Sequence, residues 1–285
     1  MSRRREVESR LTALGEMREI MAAMKNLAFM ETRKLTRFMD YQRLAVATIE
    51  RAATDFLSGW PEYFSQSVPT RIAFVVIGSE RGFCGNYNEK LLEAVESHCR
   101  RMRCRARLVT VGSRLENQLR GDSRLLHSMA GATVAEEVPE VLQEVVTVIN
   151  RLDKEGQPAT WFGLHHSDSN NDGSFSSRLT SLLPPFQQLK TRIEPLAGQP
   201  HLYLEPEGVL KGLVDHYLFA LLNTIFFEAL LTEHQRRVQH LSGAIDRLDE
   251  SCRNLNIRRN VLRQEEITEE IEMIMLSAGA LEEEG

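Results

Sequence analysis

Residues 238–255 read VQHLSGAIDRLDESCRNL, with apolar positions at Val238, Leu241, Ile245, Leu248, Cys252 and Leu255. The steps alternate three and four, the 3.5-residue period of a helix that buries one seam against another helix. No proline follows Pro206, so one helix is expected over 207–285. The seam resumes at Ile271, Ile274, Ala278 and Leu281 after a stutter between Asn256 and Gln264. Upstream, residues 213–231 are apolar on most faces and need a bulky cover.

The other end of the chain has the same character. Residues 1–57 contain no proline and one glycine, Gly15. Apolar residues fall at Val7, Leu11, Leu14, Met17, Met21, Met24, Ala28, Leu35, Phe38, Val46, Ile49, Ala53 and Phe56, mostly three or four apart. Ser58-Gly59-Trp60-Pro61 is a stop signal. At 1.5 Å per residue such a helix is roughly 85 Å long, and its stripe needs a partner. Two long seamed helices at opposite ends are natural partners in an antiparallel coiled coil that carries the middle as an insert.

The middle, 68–200, alternates strand and helix patterns. Residues 71–79 contain the apolar run IAFVVIG, as in a strand buried on both faces. A loop at 80–86 leads into an amphipathic helix ending near Met102. A second strand is expected at 106–113, a helix at 140–154 and a third strand at 159–166. An edge strand is expected in the stretch from Gln187, and a disordered loop at 167–177 (SDSNNDGSFSS). The fold class is therefore an α/β, Rossmann-like insert with a largely parallel sheet, at 68–200, flanked by coiled-coil helices at 1–57 and 207–285.

Composition narrows the function. The chain has 285 residues, 42% hydrophobic and 26% charged, with a formal net charge of −5. That excludes a disordered chain and a general nucleic-acid binder. The densest apolar stretch, 217–231, is broken by Asn223 and Glu228, so no membrane insertion is expected. The first ten residues are basic without an apolar core, unlike a secretory signal. Four cysteines, Cys84, Cys99, Cys104 and Cys252, are read as reduced and the compartment as cytosolic.

The loop from Ser79 to Asn86 has Gly82 and Gly85 but fits neither GxGxxG nor GxxxxGK[ST]. Cys84 at that turn is a conceivable nucleophile with His165 or His166 as base, against the plainer reading of a small buried thiol. Asp168, Asn170, Asp172 and Gly173 mimic a calcium loop, but its twelfth position is Leu179 rather than Glu. Cys99 and Cys104 lack a second ligand pair at zinc spacing. No catalytic residue, cofactor or metal is expected. The charge layout says more: residues 1–51 hold eleven Lys/Arg against seven Asp/Glu, Arg247, Arg253, Arg258, Arg259 and Arg263 crowd the late C-terminal helix, and the last 21 residues hold eight Glu. A basic band suits an acidic partner. Two alternatives stay open on these grounds, a free-standing coiled-coil scaffold with an α/β head and a small cysteine hydrolase.

Several segments resemble the γ subunit of F-type ATP synthases. Residues 18–36 (REIMAAMKNLAFMETRKLT) are similar to its first helix at Ile20, Met24, Ala28, Arg33 and Lys34. Residues 79–88 (SERGFCGNYN) resemble SDRGLCGxxN, Glu233, His234 and Arg237 match SEHxxRM, and residues 263–281 (RQEEITEEIEMIMLSAGAL) resemble RQAxITxEIxEIVxGAxAL. Departures at Ala22, Met30, Glu31, Glu80, Glu265 and Glu266 suggest a divergent branch. The cysteine-bearing regulatory insert of chloroplast members is missing, so redox switching is not expected.

The resemblance implies a non-catalytic rotor shaft whose coiled-coil tip stands in a ring of three α and three β subunits, with its foot on the ε subunit and the c-ring. It also implies a peripheral position on the cytoplasmic face of a bacterial inner membrane. By the same resemblance Arg263 and Gln264 meet the acidic catch loop of β, and Met24 faces that band across the coiled coil. Arg258 and Arg259 are added on charge alone. Arg81, Gly82, Cys84 and Gly85 belong to the foot. The apolar end from Met275 to Leu281 suits a low-friction bearing.

Overall fold

The computed structural model describes residues 3–64, 71–155, 159–168, 175–191, 193 and 201–282, with side chains given up to Met275. The elements are α1 (Arg3–Gly59), β1 (Ile72–Ile77), α2 (Tyr87–Met102), β2 (Arg107–Val111), α3 (Ser113–Gln118), β3 (Leu125–Met129), α4 (Val138–Lys154), β4 (Thr160–Asp168), β5 (Phe175–Leu183) and α5 (Pro206–Glu282). They form two compact units, Met1–Leu27 with Val238–Gly285, and Ala28–Arg237. The division falls inside both long helices, because the segments of α1 and α5 nearest the sheet join its core.

Within Ala28–Arg237 the sheet order is β3-β2-β1-β4-β5. β1 pairs parallel with β2 and β4, β2 parallel with β3, and β5 antiparallel with β4. The apolar run of β1 serves both faces. Phe74 and Val76 join Leu108 and Leu164 under Tyr87, Leu91 and Val95 of α2 and Leu115 of α3. Ala73, Val75 and Ile77 join a second core with Val138, Leu142 and Val145 of α4, Leu35, Met39 and Phe56 of α1, and Tyr217, Ile225, Phe226 and Leu230 of α5. This is where the all-round apolar stretch of α5 finds its cover. An 18-residue window of that helix is apolar enough to cross a membrane, and most of it is buried inside the protein.

Two sequence expectations are corrected here. The edge strand is β5, at Phe175–Leu183, whereas Gln187–Leu189 is a short 3-10 helix. The loop expected at 167–177 is in part strand: Ser167 pairs with Ser176 and Asp168 with Phe175, while 169–174 lie outside the described residues. With β5 on one side only, polar residues are tolerated on its outer positions, and the strand does not read as apolar.

The apolar stripe of α1 is also displaced from its expected line. Met17 and Phe38 are exposed, and Met39 is buried instead. From Leu35 the buried and half-buried line runs through Met39, Gln42, Val46, Ile49, Ala53 and Phe56, alternating steps of four and three that pass through 39 and not 38.

In the smaller unit α1 and α5 are antiparallel. Arg4 Nη1 meets Glu266 Oε2 at 2.9 Å, and Arg18 Nε meets Asp249 Oδ1 at 2.5 Å, so numbering rises on one helix as it falls on the other. Leu241 and Ile245 are buried, and Val238, Leu248, Cys252 and Leu255 half-buried, as the seam requires. The seam does not resume beyond it: Ile271 and Ile274 are exposed, and the side chains of 278 and 281 lie outside the described residues. The reason is register. Arg4, at the start of α1, is level with Glu266, and α5 continues past it to Glu282.

Candidate partner-binding surfaces

The loop 78–86 leaves the C-terminal end of β1, between the crossovers to β2 and β4. In open α/β sheets that crevice is where ligands bind. Here the protein's own α5 fills it. Glu233 and Arg237, one helical turn apart, form an ion pair buried on both sides. Arg237 Nε donates to the Gly82 carbonyl at 3.2 Å and Nη1 lies 2.9 Å from His234 Nδ1. The Glu80 and Arg81 amides point at the Glu233 carboxylate, at 3.4 Å each. Amides that would cradle a phosphate are thus turned toward an internal carboxylate, which argues against a nucleotide site.

The rest of the loop is held by side chains that replace missing backbone partners. Asn88 Oδ1 accepts from the Ser79 amide, and Asn88 Nδ2 donates to Ser79 Oγ, both at 3.0 Å. The Glu80 carboxylate accepts from the Ser113 amide at 2.9 Å, the Ser113 hydroxyl at 2.7 Å and the Gly131 amide at 2.7 Å. Gly78 is pressed against α3: a Cβ there would stand 2.5 Å from Leu115 Cβ. Gly85 adopts φ 62° and Phe83 φ 64°, a turn that favours glycine at the first and strains phenylalanine at the second. Arg81, Phe83 and Gly85 are exposed and Gly82 half-buried.

Cys84 lies beneath this loop, 4% exposed, and therefore presents no surface to a partner. Its Sγ points at the carbonyls of Arg81, Gly82 and Glu233, at 3.6, 3.5 and 3.9 Å. Burial, reinforced by Glu233, pushes the thiol up to about 12, the opposite of an activated nucleophile. The candidate bases are engaged elsewhere: His165 Nε2 contacts Glu228 Oε2 at 3.0 Å and His166 Nε2 contacts the Tyr87 carbonyl at 2.9 Å. Burial lowers both imidazoles, His166 to about 4. No cysteine–histidine dyad forms, and the hydrolase reading is set aside.

Glu228, which broke the apolar stretch in the sequence, is a buried acid with three partners. Burial alone would raise its carboxyl; the hydrogen bond with His165, together with Arg178 and Arg43, holds it below the ordinary carboxylate value. Arg43 Nη2 donates to Glu228 Oε1 at 3.1 Å, which ties α1 to α5. Sequence reasoning missed this clamp, as it missed the closure of the 79–88 segment by Glu233 and Arg237. Arg43 lies 185 residues from Glu228 and Gly82 lies 155 from Arg237, too far apart in the chain for a local pattern to show the contact.

The basic band on α5 is open to solvent: Arg258, Arg263 and Gln264 are exposed and Arg259 is half-buried. Met24 is not opposite it. Arg18 is already level with Asp249, and in an antiparallel pair residues after Arg18 lie against positions below 249, away from 258–264. Past Glu266, Ile267, Ile271, Met273, Ile274 and Met275 form an exposed apolar run. Exposed apolar side chains also flank the seam of α1, at Met17, Ile20 and Leu27 in the smaller unit and separately at Phe38 and Tyr41 in the larger. Among the described residues no group of three or more His, Cys, Asp and Glu is placed to hold a metal.

A family model described as ATP synthase matches residues 3–281. The ATP synthase gamma chain of Ruminiclostridium cellulolyticum is 23% identical over 290 residues, covering 98% of each chain. That of Desulfitobacterium hafniense is 25% identical over 293 residues, covering 99% of this chain and 100% of the relative. Among solved structures, a chain of the Euglena gracilis mitochondrial ATP synthase (OSCP/F1/c-ring, rotational state 3) aligns with a TM-score of 0.64 at 15% identity, covering 98% of this chain and 94% of that one. A chain of the Tetrahymena thermophila mitochondrial ATP synthase central stalk and c-ring aligns with a TM-score of 0.59 at 17% identity, covering 79% and 99%.

Proposed function

Because the chain belongs to the ATP synthase family, we propose that it is the central rotor shaft, the gamma subunit, of an F-type ATP synthase. It is non-catalytic and peripheral to a membrane-bound complex. Ion flow turns the c-ring, the shaft turns with it, and its asymmetry drives the catalytic β subunits through different nucleotide affinities. We place it on the cytoplasmic face of a bacterial inner membrane, a reading supported by its bacterial relatives.

The observation that carries the reading is the antiparallel pair of α1 and α5, with α5 running on past the level of Arg4 and exposing Ile267, Ile271, Met273, Ile274 and Met275. Torque transmission needs two helices locked in register, which the buried seam and the cross-helix ion pairs at Arg4 and Arg18 supply. The exposed apolar side chains of Ile267, Ile271, Met273, Ile274 and Met275 suit an apolar sleeve in the α3β3 ring. Arg258, Arg259, Arg263 and Gln264 then face the acidic catch loop of β. Met24 contacts the ring at a separate level. Arg81, Gly82 and Gly85 form the face of the foot toward ε and the c-ring, with Cys84 acting from beneath by holding the loop in shape.

The test is ATP-driven proton or sodium pumping by the reconstituted complex carrying Arg263→Glu. Pumping should fall while ATP hydrolysis persists and the shaft stays assembled, since an exposed charge contributes little to the fold. Pumping fully coupled to hydrolysis in that variant would remove Arg263 from this role.

A further inference from the structure

The C-terminus of α2 closes on a pair of cysteines. Arg103 takes the left-handed conformation, φ 50°. Its amide donates to the Arg100 carbonyl at 3.2 Å, and the next amide, of Cys104, donates back to the Cys99 carbonyl at 3.1 Å. This double closure is a Schellman motif, in which the side chains flanking the reversal meet. In most helices that contact is between two apolar residues. Here both flanking positions carry thiols, Cys99 buried and Cys104 half-buried, and burial together with the neighbouring Cys99 holds the Cys104 thiol above its ordinary value.

Both thiols line one surface cleft of about 540 Å³, walled by Arg100, Arg103, Arg105 and Arg124 and by one acid, Glu96. Two of these arginines have other work: Arg124 binds Asp122 and Glu96, and Arg105 donates to Ser123 Oγ. Arg100 and Arg103 are exposed and make no ion pair among the described residues. The cleft therefore offers an accessible thiol, a second thiol behind it and two uncommitted positive charges.

We propose that Cys99 and Cys104 form a redox-modification site that takes a small anionic disulfide as its oxidant. The Cys104 thiolate attacks one sulfur of that disulfide, its S–S bond breaks, one thiolate leaves and a mixed disulfide forms on Cys104. Cys99 then loses its proton and attacks the Cys104 sulfur, expelling the second thiolate. The protons released by the two cysteines pass to the two leaving thiolates. The net change is oxidation of two protein thiols to one disulfide and reduction of the reagent to two thiols. Arg100 and Arg103 attract the reagent by its charge. A reducing cytosol returns the pair to thiols, as expected of an exposed cytosolic disulfide in a regulatory role. The absent regulatory insert does not bear on this pair, which belongs to the sheet unit itself.

The probe is oxidised glutathione on the reduced full chain, followed by alkylation, digestion and mass spectrometry. The expected product is an intramolecular Cys99–Cys104 link with no glutathione retained, formed faster than any adduct on Cys252, while Cys84 stays reduced. Cys99→Ser should trap glutathione on Cys104. The exposed pair Arg100→Glu/Arg103→Glu should slow the reaction several-fold with oxidised glutathione but not with the neutral disulfide of mercaptoethanol. The proposal is overturned if wild-type Cys104 keeps its glutathione, if Cys252 reacts as fast as Cys104, or if charge reversal slows both reagents equally.

Discussion

Replacing Arg237 with leucine isolates the interaction that closes the crevice above β1. Arg237 is 5% and Glu233 4% exposed, so the substitution leaves a carboxylate buried with only two long amide contacts, at 3.4 Å. Removing one member of such a pair costs about 3–5 kcal/mol. For a unit the size of Ala28–Arg237 that lowers the melting temperature by roughly 6–20 °C. The loss should depend on pH in a definite direction. Burial raises the Glu233 carboxyl above its ordinary value, and Arg237 pulls it back. Without the guanidinium it rises further, so the folded variant binds a proton the unfolded chain has released. Stability held that way is present at low pH and lost as pH rises. His234, lowered by burial and by Arg237, becomes easier to protonate in the variant and acts in the same sense. The gap between wild type and variant should therefore be widest near pH 8 and shrink toward pH 5, by scanning calorimetry of the full chain. Adding Glu233→Gln should recover most of the loss, because the buried charge is gone. A cost below about 1 kcal/mol, or a gap that widens on acidification, would refute the buried pair.

Other consequences are simpler to measure. Gly78→Ala places a Cβ 2.5 Å from Leu115 and should cost about 1–3 kcal/mol in thermal denaturation, whereas Gly82→Ala, with nothing nearer than 3.7 Å, should stay within about 0.5 kcal/mol. Met39→Ala should destabilise by about 2–5 kcal/mol and its exposed neighbour Phe38→Ala much less, a comparison that checks the line of the α1 seam. His166 and His234 are lowered by burial from 6.5 to about 4, so the unfolded chain takes up protons first as pH falls through that window. Acid titration of stability should show a loss between pH 6.5 and 4 of roughly 3 kcal/mol for each group.

What the sequence disclosed depended on whether a segment is stabilised by its own pattern or by its neighbours. The long helices, β1, α2, β2, α4 and β4 carry their periods and punctuation openly, because each buries a continuous face. β3 (LLHSM) and β5 (FSSRLTSLL) are the two edges of the sheet, and their polar residues hide the strand period. Helix α3, six residues long, is too short to show a helical stripe. The α1 stripe is displaced by one residue at Phe38, where Met39 takes the buried place, because an apolar residue beside the seam imitates it; at Met17 neither neighbour is buried.

The site was less legible. The resemblance marked the 79–88 and 233–237 segments separately, but only the fold shows that Arg237 caps Gly82 and that Glu233 receives the loop amides. That contact turns Cys84 from a surface candidate into a packed thiol. The position of Met24 depends on helix register, which ion pairs at Arg4 and Arg18 reveal and a list of matched residues does not.

The central claim is that this chain is a single shaft in a ring of other subunits. Co-expression with its α and β subunits, purification through a tag on this chain and native mass spectrometry test it most directly. The account predicts one copy of this chain with three α and three β, the ratio of a central asymmetric part. A homodimer, or a monomer retaining neither α nor β, would contradict it and point to a free-standing scaffold.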